Sequence, residues 1–262
     1  MDIIPIWILF AATVIVLMIA IELGYRAGNT HPEHLKKDKE KITNFNASAI
    51  VGLLGFILVF TFGIVYSRYD SKKALVREEA NLIRTAWLRA DFLPEQDRGE
   101  TEKLLRRYVD LRLDAVRIND PVKMRAVLNE SNLIQLQIWR SAVVNARKDM
   151  NSDVAALYIE SLNDMINQQA LRVAVGLQAR IPNAIWLLLF LLIILAMFGA
   201  GYQASIAGSS RKSWLTPVMI LTFSLMILLI AALDRPNNRV IPVSQQPLVD
   251  LRTWMDEGTK AP

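Results

Sequence analysis

Four long stretches of the chain contain no acidic or basic side chain, and they dominate its hydrophobic pattern. They are residues 3–21, 47–67, 184–210 and 213–233. Each has about the 20 apolar residues that an α-helix needs to cross the hydrocarbon core of a bilayer. Four fully buried helices of a soluble protein are the alternative, but uncharged stretches of this length are typical of membrane spans. We therefore predict four transmembrane helices, at about 3–25, 46–68, 184–207 and 213–233.

Tryptophan and tyrosine residues lie near the ends of these stretches. Their rings favour the headgroup level of a bilayer, because one edge is apolar and the other is polar. They are Trp7, Trp186 and Trp214 at the starts and Tyr25, Tyr66 and Tyr202 near the ends. The first stretch lacks the basic flank of a signal peptide, so we expect it to be retained as a span. The lipid bilayer is therefore the first partner that the sequence predicts.

Proline and capping signals divide the polar region between the second and third spans into helices. Breaks are expected at Pro94, at Asp120-Pro121, where an N-cap precedes an N1 proline, and at Asn151-Ser152. The resulting helices lie near 69–93, 95–118, 121–149 and 153–181. No segment shows the sustained alternation of a strand, so an all-α fold is predicted.

The predicted organisation is that of a polytopic membrane protein with a helical-bundle soluble insert between spans 2 and 3. Its parts are a first transmembrane pair at 1–68, the insert at 69–181, a second transmembrane pair at 182–233 and a proline-rich tail at 234–262. In the tail, Pro247 is expected to begin a short helix. Its Leu248, Leu251 and Trp254 would dock on the insert or on the lipid headgroups.

No residue that breaks a helix separates the second span from the insert. Residues 47–93 contain no proline, and Gly63 is the last glycine before Gly99. One helix should therefore run from the bilayer into water over about 70 Å. The change from apolar to charged residues marks the water boundary rather than the end of a helix.

Three charged residues lie on the apolar side of this helix where it leaves the membrane. Arg68, Lys72 and Glu79 share a helical face with the apolar residues of the first insert helix. Charges in such a membrane-proximal cluster are paired or line a wet cavity. Both interpretations stay open from the sequence.

The second span also has a face of small residues beside two phenylalanines. This face comprises Ser48, Gly52, Gly55, Phe56, Val59 and Phe60. Small residues allow helix backbones to approach closely in membranes. The face could therefore line a pore, with the phenylalanines as a hydrophobic constriction, or pack against the other spans of the same chain.

Composition and motifs exclude several classes of function. The chain has no cysteine, and we find no nucleotide-binding or hydrolase motif, so we predict no enzyme and no cofactor. His31 and His34 are the only histidines and lie beside Pro32, where we expect a solvated loop and no metal site. The net charge of +5 does not indicate nucleic acid, because acidic residues are interleaved with the basic ones.

Several motifs resemble those of bacterial bestrophin-like integral membrane proteins. They are Gly24-Tyr25-Arg26, the block GFILVFTFGIVYSRYDSKKALVREEANLIRTAWLRADFLP, Ile185-Trp186, and the tail motifs LDRP and VSQQPL. True bestrophins are pentameric anion channels with four membrane helices and a helical soluble domain. The resemblance implies a multi-pass protein of the bacterial inner membrane that self-associates, with a pentamer as the assembly expected from true bestrophins, and conducts inorganic ions. The acidic calcium clasp of animal bestrophins is not recognisable here.

Two hypotheses follow from the sequence. The first is a homo-oligomeric ion channel with span 2 near the axis, in which Arg68 and Lys72 favour anions and Glu79 opposes them. The second is a non-conducting membrane-anchored sensor, scaffold or assembly module, in which the same charges form ion pairs that brace the insert.

Overall fold

The described part of the chain is built from α-helices. A computed structural model describes residues 5–30, 32–118, 120–178, 180–208, 214–235 and 240–258. The helices are α1 (Ile6–Asn29), α2 (Glu33–Arg89), α3 (Glu95–Ala115), α4 (Pro121–Ala146), α5 (Asp153–Gln178), α6 (Asn183–Ile206), α7 (Leu215–Asp234) and α8 (Gln246–Gly258). A short 3-10 helix, Ala90–Phe92, follows α2. These ranges contain no strand, which confirms the predicted all-α fold.

Four of these helices are long and apolar enough to cross a membrane. They are α1, α6, α7 and the segment Glu40–Phe92, which includes most of α2. They match the four predicted spans and confirm a polytopic membrane protein.

Helix α2 is longer than the sequence predicted. It continues through residues 66–70, as expected, but it begins at Glu33 rather than near residue 46. The connection after the first span is therefore largely helical, because the residues that follow Pro32 include no further proline or glycine until Gly52. With 57 residues the helix is about 85 Å long.

The chain forms two compact units. Met1–Arg68 and Arg180–Ile241 form the first, the membrane unit, and Tyr69–Ala179 and Pro242–Pro262 form the second, the insert unit. In the membrane unit α1 packs against α6 and α7. A Cβ atom at Gly24 would lie 2.0 Å from the Phe198 carbonyl oxygen, and one at Gly201 would lie 2.1 Å from that of Ile21. The backbones of α1 and α6 are therefore in direct contact, which only glycine permits.

In the insert unit, one hydrophobic core is surrounded by α3, α4, α5 and residues 69–89 of α2. Its largest fully buried side chains include Ile83, Leu105, Tyr108, Ile138 and Leu162. Two helix starts follow the predicted signals: Pro94 precedes α3, and the Asp120 carboxylate accepts a hydrogen bond from the Val122 amide at 2.8 Å. Such N-caps satisfy backbone donors that the first turn leaves unpaired.

The carboxy-terminal helix α8 belongs to the same core. Leu248, Leu251 and Met255 are buried in it, and Trp254 packs against it. Arg84 of α2 stacks on the Trp254 ring, with its guanidinium carbon 4.4 Å from the ring centre. The sequence analysis left two docking surfaces open for this helix, the insert and the lipid headgroups. In the structure α8 docks on the insert.

Candidate functional site

A buried carboxylate lies at the centre of the insert unit. The Glu79 side chain is 0% exposed and projects from α2 towards α3 and α5. The Arg112 Nε atom donates a hydrogen bond to Glu79 Oε1 at 2.7 Å, and Arg172 forms an ion pair with Glu79 Oε2. A carboxylate removed from water is costly unless it is paired and hydrogen-bonded, and here two cations satisfy that requirement.

Both arginines are themselves largely buried. Burial lowers the pKa of Arg172 to about 10, and it also lowers the pKa of Arg112. An arginine side chain keeps its proton at neutral pH in proteins, so both guanidinium groups are charged and the Glu79 carboxylate lies between them. Two positive charges and one negative charge leave this buried triad with one net positive charge.

Tyr108 connects the triad to a set of amide side chains. Its hydroxyl donates to Gln169 Oε1 at 2.6 Å and lies 3.5 Å from Glu79 Oε1. Gln135 Nε2 donates to the Tyr108 hydroxyl at 3.2 Å and to Gln169 Oε1 at 2.8 Å, and Gln169 Nε2 donates to Asn132 Oδ1 at 2.8 Å. Burial raises the pKa of Tyr108 to about 12, so the phenol stays neutral and can donate.

The network also reaches the segment before α8. Arg172 Nη2 donates to Gln245 Oε1 at 2.5 Å, and Gln245 Nε2 donates to the Val243 carbonyl at 2.9 Å. Residues from α2, α3, α4, α5 and the carboxy-terminal segment therefore meet in one polar cluster inside an apolar bundle. Hydrogen bonds and ion pairs that join several helices in this way fix the relative positions of those helices.

The sequence singled out Glu79 but not its partners. It grouped Glu79 with Arg68 and Lys72, which are half-buried on α2, whereas the ion pairs of Glu79 come from α3 and α5. One signal could have revealed them. Tyr108 and Arg112 are four residues apart on the buried side of α3, so an arginine at an apolar position of that helix required an acid.

The predicted small-residue face of α2 is exposed within the chain. Phe56, Val59 and Phe60 are 67%, 66% and 63% exposed, and Cβ atoms built at Gly52 and Gly55 would meet nothing within 4 Å. The buried residues of this segment lie about 150° around the helix from that face. They are Ala47, Leu54, Leu58, Thr61 and Val65. In this conformation the chain's other spans do not cover the small-residue face.

The solvated loop predicted at the two histidines is wrong at His34. His34 lies within α2, and His31 lies outside the described residues. Among the residues that the structure describes, no group of three or more histidine and carboxylate side chains is placed to hold a metal ion.

Comparisons with known proteins agree with this architecture. The crystal structure of a bacterial bestrophin homologue from Klebsiella pneumoniae, solved by zinc phasing, matches at a TM-score of 0.64 and 15% identity, over 98% of this chain and 100% of that chain. A variant of a bacterial bestrophin homologue from the same organism matches at a TM-score of 0.65 and 15% identity, over 98% and 99% of the two chains. At this identity the likeness shows the fold alone. No curated protein matches the sequence.

A match to a family model assigns the chain to a family as well as to a fold. The model of the bestrophin-like domain matches residues 11–248, which is most of the chain. Together with the four spans, this match identifies the chain as a member of the bestrophin-like family of membrane proteins.

Proposed function

We propose that this protein is a homo-oligomeric ion channel of the bacterial plasma membrane, with α2 near the symmetry axis. The observation that carries the proposal is the exposed small-residue face of α2, defined by Ser48, Gly52, Gly55, Phe56, Val59 and Phe60. Family membership and the bestrophin fold support the same function.

The glycines of α2 are difficult to explain in a chain that acts alone. Gly52, Gly55 and Gly63 would meet nothing within 4 Å if they carried a Cβ. Glycine destabilises a helix interior by about 1 kcal/mol relative to alanine. The cost of three glycines on a surface without intramolecular contacts therefore needs an explanation. Close approach of a helix from a neighbouring subunit explains it, because glycine allows helix backbones to come into contact. Phe56 and Phe60 on the same face would form a hydrophobic constriction.

The charges of α2 bear on selectivity. Glu79 is neutralised inside the insert by Arg112 and Arg172, so it does not oppose the positive charges of Arg68 and Lys72. We therefore propose a preference for anions.

Flux measurements with purified protein in liposomes test the proposal. Chloride flux should exceed sodium and potassium flux, and Phe56→Ala with Phe60→Ala should raise it several-fold by widening the constriction. Leu187→Ala is the matched control, because Leu187 of α6 is 73% exposed and lies outside the small-residue face. No flux of any ion under varied voltage and pH would refute the channel.

A membrane-anchored module without conduction is the second candidate. The ion pairs of Glu79 favour it, because they brace the insert within one subunit as that hypothesis requires. A protein that is strictly monomeric in mild detergent and carries no ions would establish this candidate and remove the first.

A further inference from the structure

Helix α4 presents an apolar stripe to solvent in the insert unit. Val122, Leu133, Leu136 and Val144 are 75%, 61%, 50% and 59% exposed. At 100° per residue they fall within an arc of about 80°, and they extend over about 33 Å of the helix. Exposed Asn129 and Arg140 interrupt this stripe within the same arc, so the surface is mixed, with large apolar side chains between polar ones. Such a row of exposed apolar residues outside the membrane-spanning segments is a candidate interaction surface.

The charged residues around this stripe are almost all basic. Lys123, Arg125, Arg140 and Arg147 are exposed on or beside it. The one acidic residue of α4, Glu130, is paired with Arg107 of α3 at 2.6 Å. We call the stripe together with these four basic residues the α4 face.

Helix α5 presents an exposed surface of the opposite charge. Asp153, Glu160 and Asp164 lie on one side of it, beside Leu157 and Leu171, which are 43% and 49% exposed. The sequence has no lysine or arginine from Asp149 to Leu171. Glu160 also lies 3.6 Å from Arg89 of α2. We call this surface, formed by the three acidic residues and the two leucines, the α5 face.

The two faces are complementary, but they cannot cover each other within one copy. Helices α4 and α5 pack against each other through their buried sides, so both faces point outwards. When two different patches on one chain are complementary, copies associate head to tail, and such contacts form a ring where the rotation between successive copies closes. On both faces the charged residues are interleaved with the apolar ones, so apolar burial and opposite charge would act over the same contact.

We infer that the α4 face of one copy binds the α5 face of the next copy around the ring. The inference rests on the proposed homo-oligomer and names the surfaces that hold the insert units together.

Disulfide trapping tests this contact cleanly, because the chain has no cysteine of its own. The double variant Leu133→Cys/Leu157→Cys, oxidised in lipid vesicles, should give a ladder of covalent multimers. Each single-cysteine variant should stay monomeric on a denaturing gel, because a head-to-tail contact never brings the same residue of two copies together. Val249→Cys/Leu157→Cys is the matched control, since Val249 is 40% exposed on α8 rather than on α4, and it should give no ladder.

Charge reversal tests the electrostatic part. In the double-cysteine background, Arg140→Glu/Arg147→Glu should reduce the ladder several-fold, and adding Asp153→Lys/Asp164→Lys should restore it. Recovery by the second pair of substitutions excludes misfolding as the cause of the first loss.

Several outcomes would overturn the inference. Dimers from a single-cysteine variant would show a two-fold contact instead, and the absence of a ladder would show that the faces do not meet. Brominated phosphatidylglycerol that quenches more tryptophan fluorescence in Leu133→Trp than in the wild type, whose membrane tryptophans are quenched in both proteins, would place the α4 face on the membrane. Ion flux without a ladder would reject this contact and support the channel. A ladder without ion flux would support this contact and reject the channel.

Discussion

The sharpest prediction concerns the isosteric substitution Glu79→Gln. It removes the negative charge that lies between Arg112 and Arg172 while keeping almost the same volume. The two buried guanidinium groups then repel each other with no carboxylate between them. Removing one partner of a buried ion pair costs about 3–5 kcal/mol, because the remaining charge is left unpaired.

The expected loss can be measured as a change in thermal stability. For a unit of about 130 residues, a loss of about 3–5 kcal/mol lowers the Tm by roughly 10–20 °C. The assay is thermal unfolding in mild detergent, followed by tryptophan fluorescence, because Trp87, Trp139 and Trp254 all pack against the insert core. Glu78→Gln is the matched control. Glu78 is the exposed neighbour on α2, so this change should leave the Tm within about 2 °C of the wild type.

A compensated variant separates charge from packing. Replacing Glu79, Arg112 and Arg172 together by methionine removes all three buried charges, and most of the lost stability should return. The ratio of chloride to sodium flux should not change in Glu79→Gln, because this side chain is not exposed. If Glu79→Gln keeps the wild-type Tm and alters selectivity, the interpretation of Glu79 as a buried structural carboxylate is wrong.

Three further predictions concern other parts of the chain. Gly201→Ala should strongly destabilise the membrane unit, because the added Cβ would lie 2.1 Å from the Ile21 carbonyl oxygen. Gly199→Ala on the same helix is the control, since its Cβ would meet no atom within 4 Å. Thermal unfolding of the two variants should show a large loss of Tm only for Gly201→Ala. Tyr108 has a pKa of about 12 in the folded protein and about 10 when unfolded, so its contribution to stability is complete below pH 10 and is lost as the pH rises towards 12. The wild type should therefore lose about 2–3 kcal/mol relative to Tyr108→Phe over that interval in denaturant titrations. Asp120→Ala removes the N-cap of α4 and should lower the free energy of unfolding by about 1 kcal/mol in denaturant titrations. An unchanged denaturation midpoint would contradict the role of this cap.

The start of α2, residues 33–46, is the part of this helix that the sequence analysis did not predict. The absence of glycine and proline correctly predicted a helix through residues 66–70. The same rule applied to residues 33–46, but we expected a solvated loop beside Pro32 and a second span from about residue 46, and the structure has a helix from Glu33. Local helix propensity decides whether such a segment is helical, and charge alone does not.

The sequence by itself determined the features that depend on local chemistry. The length of the uncharged stretches set the four spans, because a bilayer core requires about 20 apolar residues per helix. Pro94 and Asp120 set the starts of α3 and α4, because capping acts within one turn.

Only the tertiary structure decided which side chains meet across the bundle. Glu79 is 33 residues from Arg112 and 93 from Arg172 along the chain, and no local rule links positions so far apart. The same holds for Gly201, whose contact with Ile21 depends on how α6 crosses α1. These contacts arise from packing between helices, which brings together residues that the sequence keeps far apart.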